Sequence, residues 1–210
     1  MSFERGSEWR KWDLHVHTPA SFFWSDGIKL LDMSDSQKKE AIEKFIKTVN
    51  ESDVAVFCIM DYWTFDWYIE LLKYIKSTPK ENEEKIELTK TVFPGMELRI
   101  ESPTSYRLNI HVILSDKLSE QALIDFKSEL LIRSINKKLS NDSIIQFAKT
   151  LDESKARIHG YGNPTELDDK KLLELGSKTV EITKESLQNA LNSIPKNCGY
   201  ILMPYDTSDG

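Results

Sequence analysis

The stretch WDLHVH at residues 12–17, continued by TPAS at residues 18–21, carries the pattern that decides the fold. Apolar and polar residues alternate through residues 12–17, which is typical of a strand that runs into a loop. His15 and His17 are two residues apart, so their imidazoles point to the same face of that strand. Two imidazoles placed in this way can share one cation or hold two neighbouring cations.

Further polar residues lie on later strand-like segments. The apolar run at residues 54–60 ends at Asp61, and Glu97 follows Pro94-Gly95 within the next strand-like segment. His111 lies inside the segment after that one. Glycine at position 95 lets the backbone pass close to a ligand. In a parallel sheet these positions can converge with the paired histidines at one edge.

Each of these residues also has a purely structural alternative. Asp61 could cap the following helix, since aspartate is a preferred N-cap residue. Glu97 could pair with a neighbouring lysine or arginine. His111 could be an ordinary core histidine, and His159, which opens a Gly-rich stretch, could have no catalytic role. The paired histidines of the first strand, preceded by Asp13, favour a metal site more strongly than the other positions do.

Helix-like and strand-like segments alternate along the chain. Apolar residues recur at helical spacing in residues 35–50, 66–76, 119–130, 141–151 and 184–194. Strand-like patterns cover residues 12–17, 54–60, 91–100, 106–115, 179–182 and 200–203, and a turn is expected at residues 102–105. This order predicts an α/β fold with a largely parallel sheet.

Composition narrows the class of protein. The 210 residues, with 40% hydrophobic and 30% charged residues, predict one globular domain over residues 1–210. No apolar run is long enough for a spanning helix, so no membrane partner is expected. Cys58 and Cys198 each lie in an apolar run, which favours a reducing cytoplasm over a disulfide framework. The net charge of -6 argues against non-specific coating of nucleic acid, although bound cations can offset it locally.

The quoted motifs together resemble the PHP (polymerase and histidinol phosphatase) superfamily. The resemblance rests on DLHVHTPAS at residues 13–21, the strand ending at Asp61, Pro-Gly-Met-Glu97 and Ile-His111-Val. It runs over about the first 115 residues, and the opening motif is its most specific part. RGSEWRKWD at residues 5–13, with DYWTFD at residues 61–66, is similar to the PHP region that begins TrlF-type AAA-like ATPases. We therefore expect a longer polypeptide, in which this segment precedes an ATPase of the SMC or ABC kind.

The resemblance implies a distorted (β/α)7 barrel, incomplete at its C-terminal end, with metal ions at its C-terminal face. The ions would be Zn, Mn or Fe, one or two in number, and the activity would be hydrolysis of phosphoesters, including nuclease activity. The metal ligands implied are His15, His17, Glu97, His111 and His159. Asp13 or Asp61 would orient an imidazole, and Tyr62 would contact the phosphate or the leaving group.

Departures from the family pattern leave two main functions open, beside a small-molecule phosphatase of the histidinol-phosphate kind. Tyr62 follows Asp61 where the family usually has histidine, and Phe23 stands where a third histidine often follows the first motif. The closing Asp-x-His motif is absent, since Asp206 and Asp209 have no histidine beside them. One hypothesis is a metal-dependent nuclease coupled to a downstream ATPase, with oligomers formed through that ATPase. The alternative is a degenerate PHP domain that acts as a structural or interaction module.

Overall fold

A computed structural model describes residues 9–79, 84–102 and 108–202. Short 3-10 turns at Leu30–Asp32 and Pro164–Glu166 accompany the regular elements. In chain order these are β1 Trp12–Val16, α1 Asp35–Glu51, β2 Val56–Tyr62, α2 Asp66–Lys76, β3 Thr91–Ile100, β4 Leu108–Leu114, α3 Glu120–Glu129, β5 Leu131–Ile132, β6 Lys137–Lys138, α4 Asn141–Ala148, α5 Glu153–Ile158, α6 Asp169–Thr179, α7 Lys184–Ser193 and β7 Gly199–Leu202.

The α/β class is confirmed, and most predicted elements are present. The segments predicted at residues 66–76 and 91–100 have the bounds of α2 and β3, and α4 stops earlier than expected. The predicted strand at 179–182 is wrong, because α6 extends to Thr179 and only Ile182 bridges, to Ile100 and Ile132. Helices α5 and α6 were not predicted. Asp206 and Asp209 lie outside the described residues.

Hydroxyl and carboxylate side chains determine where several helices begin. Ser34 forms a reciprocal capping box with Gln37 at the start of α1. Ser119, Ser140 and Asp168 accept hydrogen bonds from backbone N–H groups in the first turns of α3, α4 and α6. Each cap satisfies a donor that has no partner within its own helix. The sequence therefore sets these helix starts locally, before any tertiary packing.

The main sheet has the strand order β1-β2-β3-β4-β7 and mixed directions. The β1–β2 and β2–β3 pairs are parallel, whereas β3–β4 and β4–β7 are antiparallel. The predicted parallel arrangement is therefore present in β1, β2 and β3, whereas β4 and β7 depart from it. Residues 101–107 are too few for the crossover that a parallel pair requires, so β4 returns antiparallel beside β3. Within the described ranges β1 and β7 are not paired with each other, and closure into a (β/α)7 barrel stays a prediction.

The two faces of the sheet have different partners. The large hydrophobic core contains sheet residues such as Ile59, Leu98 and Val112 together with residues from α1, α2, α3, α4 and α7. A smaller cluster on the other face consists of Cys58, Met60 and Ile113, packed by Leu14 and Phe93, all of them strand residues. Side chains alternate along a strand, so Glu97 and His111 share this second face with Phe93 and Ile113. We call it the site face.

No helix in the described part of the chain combines the length and the apolarity that crossing a bilayer requires.

The close packing at Gly95 gives a first prediction. A Cβ at this position would lie 2.6 Å from Cys58 Sγ and 2.8 Å from the backbone oxygen of Ile59. We expect Gly95→Ala to lower the free energy of unfolding by about 1–3 kcal/mol, because overpacking forces neighbouring atoms apart. Gly162→Ala is the matched control, since nothing lies within 4 Å of its Cβ position. Urea unfolding of both variants measures the effect, and equal stabilities would contradict the packing argument.

Candidate metal centre

An irregularity in β1 brings both histidines of the first strand to the site face. The β1–β2 register shifts between Asp13, which pairs with Phe57, and Val16, which pairs with Ile59. Between these two pairs β1 continues for three residues and β2 for only two, so β1 contains one extra residue. Bulges of this kind re-aim side chains beside functional sites. The Nε2 atoms of His15 and His17 come within 3.2 Å of each other.

The antiparallel pairing of β3 and β4 supplies the other two side chains. Glu97 lies directly opposite His111 in the register, so the carboxylate and the imidazole emerge side by side. Their Oε2 and Nε2 atoms are 4.0 Å apart. The His111 ring also meets the His15 ring edge to face, with centroids 4.5 Å apart. His15, His17 and Glu97 thus meet at the carboxyl ends of the parallel strands β1 and β2, as predicted, whereas His111 joins them through an antiparallel pair.

Glu97 Oε2 lies at the centre of the three imidazoles. It is 3.2 Å from His15 Nε2 and 3.9 Å from His17 Nε2. Two nitrogen or oxygen ligands of one tetrahedral zinc ion lie about 3.3 Å apart, since each bond is about 2.0–2.1 Å long. The His15–His17 and His15–Glu97 separations fit that value. The ligand atoms of His15, Glu97 and His111 all lie within 4.8 Å of one another.

Buried polar atoms provide a test of whether this group suits a cation. His17 Nδ1, Glu97 Oε2 and His111 Nε2 are buried and have no hydrogen-bond partner among the described residues. His15 Nε2 approaches Oε2 to 3.2 Å as a potential ion pair. Leaving buried polar atoms unpaired costs free energy that a bound cation would offset. Imidazole and carboxylate are ligands that Zn, Mn and Fe accept, so the donor set fits.

The electrostatics of the group are coupled. The Glu97 carboxylate raises the pKa of His15 above its usual value, although partial burial acts to lower it. Burial lowers the pKa of His17 and of His111, and the neighbouring His15 lowers both further. Burial also acts to raise the pKa of Glu97, but His15 and the hydrogen-bonded Tyr62 outweigh it and keep that pKa low. Glu97 is therefore a carboxylate at neutral pH.

Asp61 lies inside β2 and holds the loop that follows β1. It is fully buried, and its two oxygens accept hydrogen bonds from the backbone N–H of Thr18, at 2.8 Å, and from the Thr18 hydroxyl. Its Oδ1 atom is 4.0 Å from His17 Nδ1. Burial raises the pKa of Asp61 to about 7, against the effect of both Thr18 bonds. Helix capping is not its role, because Phe65 occupies the N-cap of α2.

Tyr62 connects the centre to its surroundings. Its ring stacks on the His17 ring with centroids 5.6 Å apart, and its hydroxyl hydrogen-bonds to Glu97. The buried Arg99 guanidinium lies 4.9 Å from the centroid of the Tyr62 ring, and its Nη1–H donates to the Ser177 carbonyl at 2.7 Å. The sequence analysis did not identify Thr18 or Arg99. The sequence spacing could have identified Arg99, because it lies two residues after Glu97 and therefore on the same face of β3.

The remaining candidates lie at the edge of the group or apart from it. Asp13 is exposed, and its Oδ1 accepts a hydrogen bond from the backbone N–H of His15 at 3.2 Å. His159 is the C-cap residue of α5, and its backbone N–H bonds to Ala156. The group of side chains in the described residues that could hold a metal ion consists of His15, Glu97 and His111, so it includes neither His159 nor His17. The predicted role of His159 as a ligand stays a prediction.

Comparison with known proteins gives distant likenesses only. No family model and no curated protein sequence matches the chain. A structure described as a metal-dependent phosphoesterase from Bifidobacterium adolescentis is similar at a TM-score of 0.40 and 11% identity, with 93% of this chain and 67% of that chain covered. An amidohydrolase from Chromobacterium violaceum has a TM-score of 0.36 and 14% identity, over 77% of this chain and 48% of that one. At these values the likeness establishes neither a common fold nor a shared activity.

The protonation of His15 gives a prediction for cation binding. A proton on His15 competes with a cation for Nε2, and Glu97 raises the pKa of His15 above 6.5. Zinc affinity should therefore begin to fall at a higher pH than free imidazole would cause, and continue to fall as the pH is lowered to 5. Zinc titrations between pH 5 and 8 measure this dependence. An affinity that is flat over this range would contradict ligation by histidine.

The Thr18–Asp61 contact gives a second prediction. Thr18→Val keeps the shape of the side chain but removes the hydroxyl that donates to the buried Asp61. We expect a loss of about 1–3 kcal/mol in the free energy of unfolding, because a buried carboxylate oxygen is left without a donor. Thr18→Ser is the control, since it retains the hydroxyl. Chemical denaturation at pH 8 compares the two variants, and equal losses would show that the hydroxyl contributes nothing.

Proposed function

We propose that this chain is a metal-dependent phosphoesterase in which His15, His17, Glu97 and His111 hold the metal. The observation that carries the proposal is the convergence of three imidazoles on one buried carboxylate oxygen that has no hydrogen-bond partner. A bound cation would satisfy this oxygen and the unpartnered imidazole nitrogens beside it together. Zn, Mn or Fe fits the donor set, with one or two ions bound.

The residues of the centre have distinct parts in this proposal. Neutral His15, His17 and His111 provide nitrogen ligands, and Glu97 provides the negative charge that holds a cation. Asp61 fixes the backbone after His17 through Thr18 and so orients that imidazole. The Tyr62 hydroxyl hydrogen-bonds to the Glu97 carboxylate and would contact the phosphate or the leaving group. When bound, divalent ions supply positive charge that polarises a phosphoryl oxygen and acidifies a bound water.

Nucleic acid as the substrate is the finer part of the proposal. It is supported by the motif resemblance, which also implies the (β/α)7 barrel and a downstream ATPase that couples to hydrolysis and forms oligomers. The proposed cytoplasmic location rests instead on the two cysteines in apolar runs. The net charge of -6 requires that bound cations provide much of the attraction for phosphates.

A degenerate domain without catalysis is the second candidate. The observation that favours it is Tyr62, whose ring occupies the space beside His17 where the family pattern expects another imidazole. Fewer nitrogen ligands would then surround Glu97. Metal content separates the two candidates directly, because a degenerate domain of this kind binds no ion at stoichiometric level.

Metal analysis of ligand variants tests the proposal. Glu97→Gln keeps the shape of the side chain but removes its charge, and the double variant His15→Ala/His17→Ala removes two ligands. We expect both to lose most bound metal, and with it at least about 100-fold in phosphoesterase rate. His159→Ala is the matched control and should retain metal and rate. Elemental analysis and hydrolysis assays in one buffer supply the readouts.

Two outcomes would contradict the proposal. Wild-type protein that binds no Zn, Mn or Fe after reconstitution would favour the degenerate domain. A fully active Glu97→Gln variant would show that Glu97 is not a ligand. Loss of metal in His159→Ala would add His159 to the ligand set and would move the centre away from the residues proposed.

A further inference from the structure

A cleft of about 350 Å³ opens beside the metal centre, on the far side of Tyr62. Apolar side chains from three parts of the chain line it: Phe22 and Leu30 from the segment after β1, Tyr62 from β2, and Leu173 from α6. Tyr62 is common to the cleft and the centre, since its ring stacks on His17 and meets the Phe22 ring at 4.9 Å. The Tyr62 ring is therefore a wall that the cleft shares with the centre, although none of the four proposed ligands lines the cleft.

The charges that line the cleft do not suit a phosphate. Two lysines stand against four carboxylates along its wall: Lys29, Lys170, Asp32, Asp66, Asp169 and Glu174. The lysines are both paired, Lys29 with Glu174 at 3.0 Å and Lys170 with Asp32 at 3.4 Å. Lys29 also donates to the backbone oxygen of Phe22. An anionic polymer backbone would meet net negative charge here, so the cleft favours an uncharged group.

The size of the cleft limits what it can hold. Its volume is near the lower end of the range for small-molecule sites, about 300–1,000 Å³. A single ring system fits such a space, whereas a base-paired duplex does not. The aromatic and aliphatic wall gives contact area to a flat apolar group, and aromatic side chains stack on such rings.

We infer that the cleft binds the alcohol part of the substrate and selects a phosphoester whose alcohol carries one uncharged aromatic ring system. This inference rests on the proposed phosphoesterase function. In the reaction an oxygen of water bonds to phosphorus, the bond from phosphorus to the alcohol oxygen breaks, and a proton from the water passes to the departing alcohol. The same chemistry is met in a small aromatic phosphoester and in the terminal nucleotide of a single strand.

Paired substrates test the inference with the metal-loaded chain. Benzyl phosphate and ethyl phosphate have leaving alkoxides of similar basicity, so a difference in kcat/KM reports binding of the ring. We expect benzyl phosphate to be preferred by about tenfold or more, the discrimination that a small apolar pocket can provide. Leu173→Trp, which fills the cleft, should abolish the preference by raising KM for benzyl phosphate alone. Ile124→Trp, on the exposed side of α3, is the control.

A second variant tests the cleft independently, in case Leu173→Trp does not fold. Leu173→Ala enlarges the cleft and should shift the preference from benzyl phosphate towards 2-naphthylmethyl phosphate. Release of single nucleotides from a single-stranded oligonucleotide, with intact duplex resistant, would identify the terminal nucleotide as the source of the ring. Equal efficiency on benzyl and ethyl phosphate, or equal cleavage of duplex and single strand, would overturn the inference.

Binding without catalysis separates this inference from the proposed function. Benzyl alcohol is titrated into the metal-free protein and followed by ligand-observed NMR. Binding that Leu173→Trp removes and Ile124→Trp retains supports the cleft even if no phosphoester is hydrolysed, in which case only the proposed function fails. Absence of benzyl alcohol binding, together with active hydrolysis that ignores the ring, would overturn the cleft assignment and leave the proposed function intact.

Discussion

Burial of the Glu97 carboxylate is the constraint on which the rest of the centre depends. Only 3% of this residue is exposed, and an isolated buried carboxylate is strongly unfavourable. Two neighbours stabilise the charged carboxylate: the His15 imidazole, whose pKa the carboxylate raises, and the Tyr62 hydroxyl. The arrangement is incomplete, because Oε2 has no hydrogen-bond partner among the described residues. A cation would complete it.

The fold brings these groups together through two local departures from a regular parallel sheet. The register shift in β1 turns His15 and His17 to one face, and the short connection after Ile100 makes β4 antiparallel, so that His111 lies opposite Glu97. Gly95 allows the strands to pack closely just below the carboxylate. Along the site face, the apolar cluster around Cys58 therefore gives way within a few residues to the ionisable side chains of Glu97 and His111. Strain also concentrates here, since Trp63 adopts a left-handed backbone with φ of 64° directly after Tyr62.

The cleft and the centre differ in chemical character, and in our proposal each would bind a different part of the substrate. The centre provides the charge for a phosphoryl group, whereas the cleft wall is apolar with its lysines already paired. Arg99 lies near their boundary, beside Tyr62, and its bond to the Ser177 carbonyl ties β3 to α6. Trp63 Nε1 donates to the same carbonyl at 3.0 Å. Tyr62 lies between the two, since its ring stacks on His17, contacts Arg99 and lines the cleft.

The sequence by itself determined the α/β class, the bounds of α2 and β3, and four of the side chains that converge, because period, capping residues and the HxH spacing are local properties. It did not determine the direction of β4, since a strand pattern is the same in both directions and only the length of the connection decides between them. The family resemblance named His159 as a candidate for a later histidine ligand, and the structure places this residue at the C-cap of α5, where a role as a ligand stays a prediction. The partnership of Thr18 with Asp61, and a cleft built from segments more than 100 residues apart, depend on contacts distant in sequence. Only the folded chain contains those contacts.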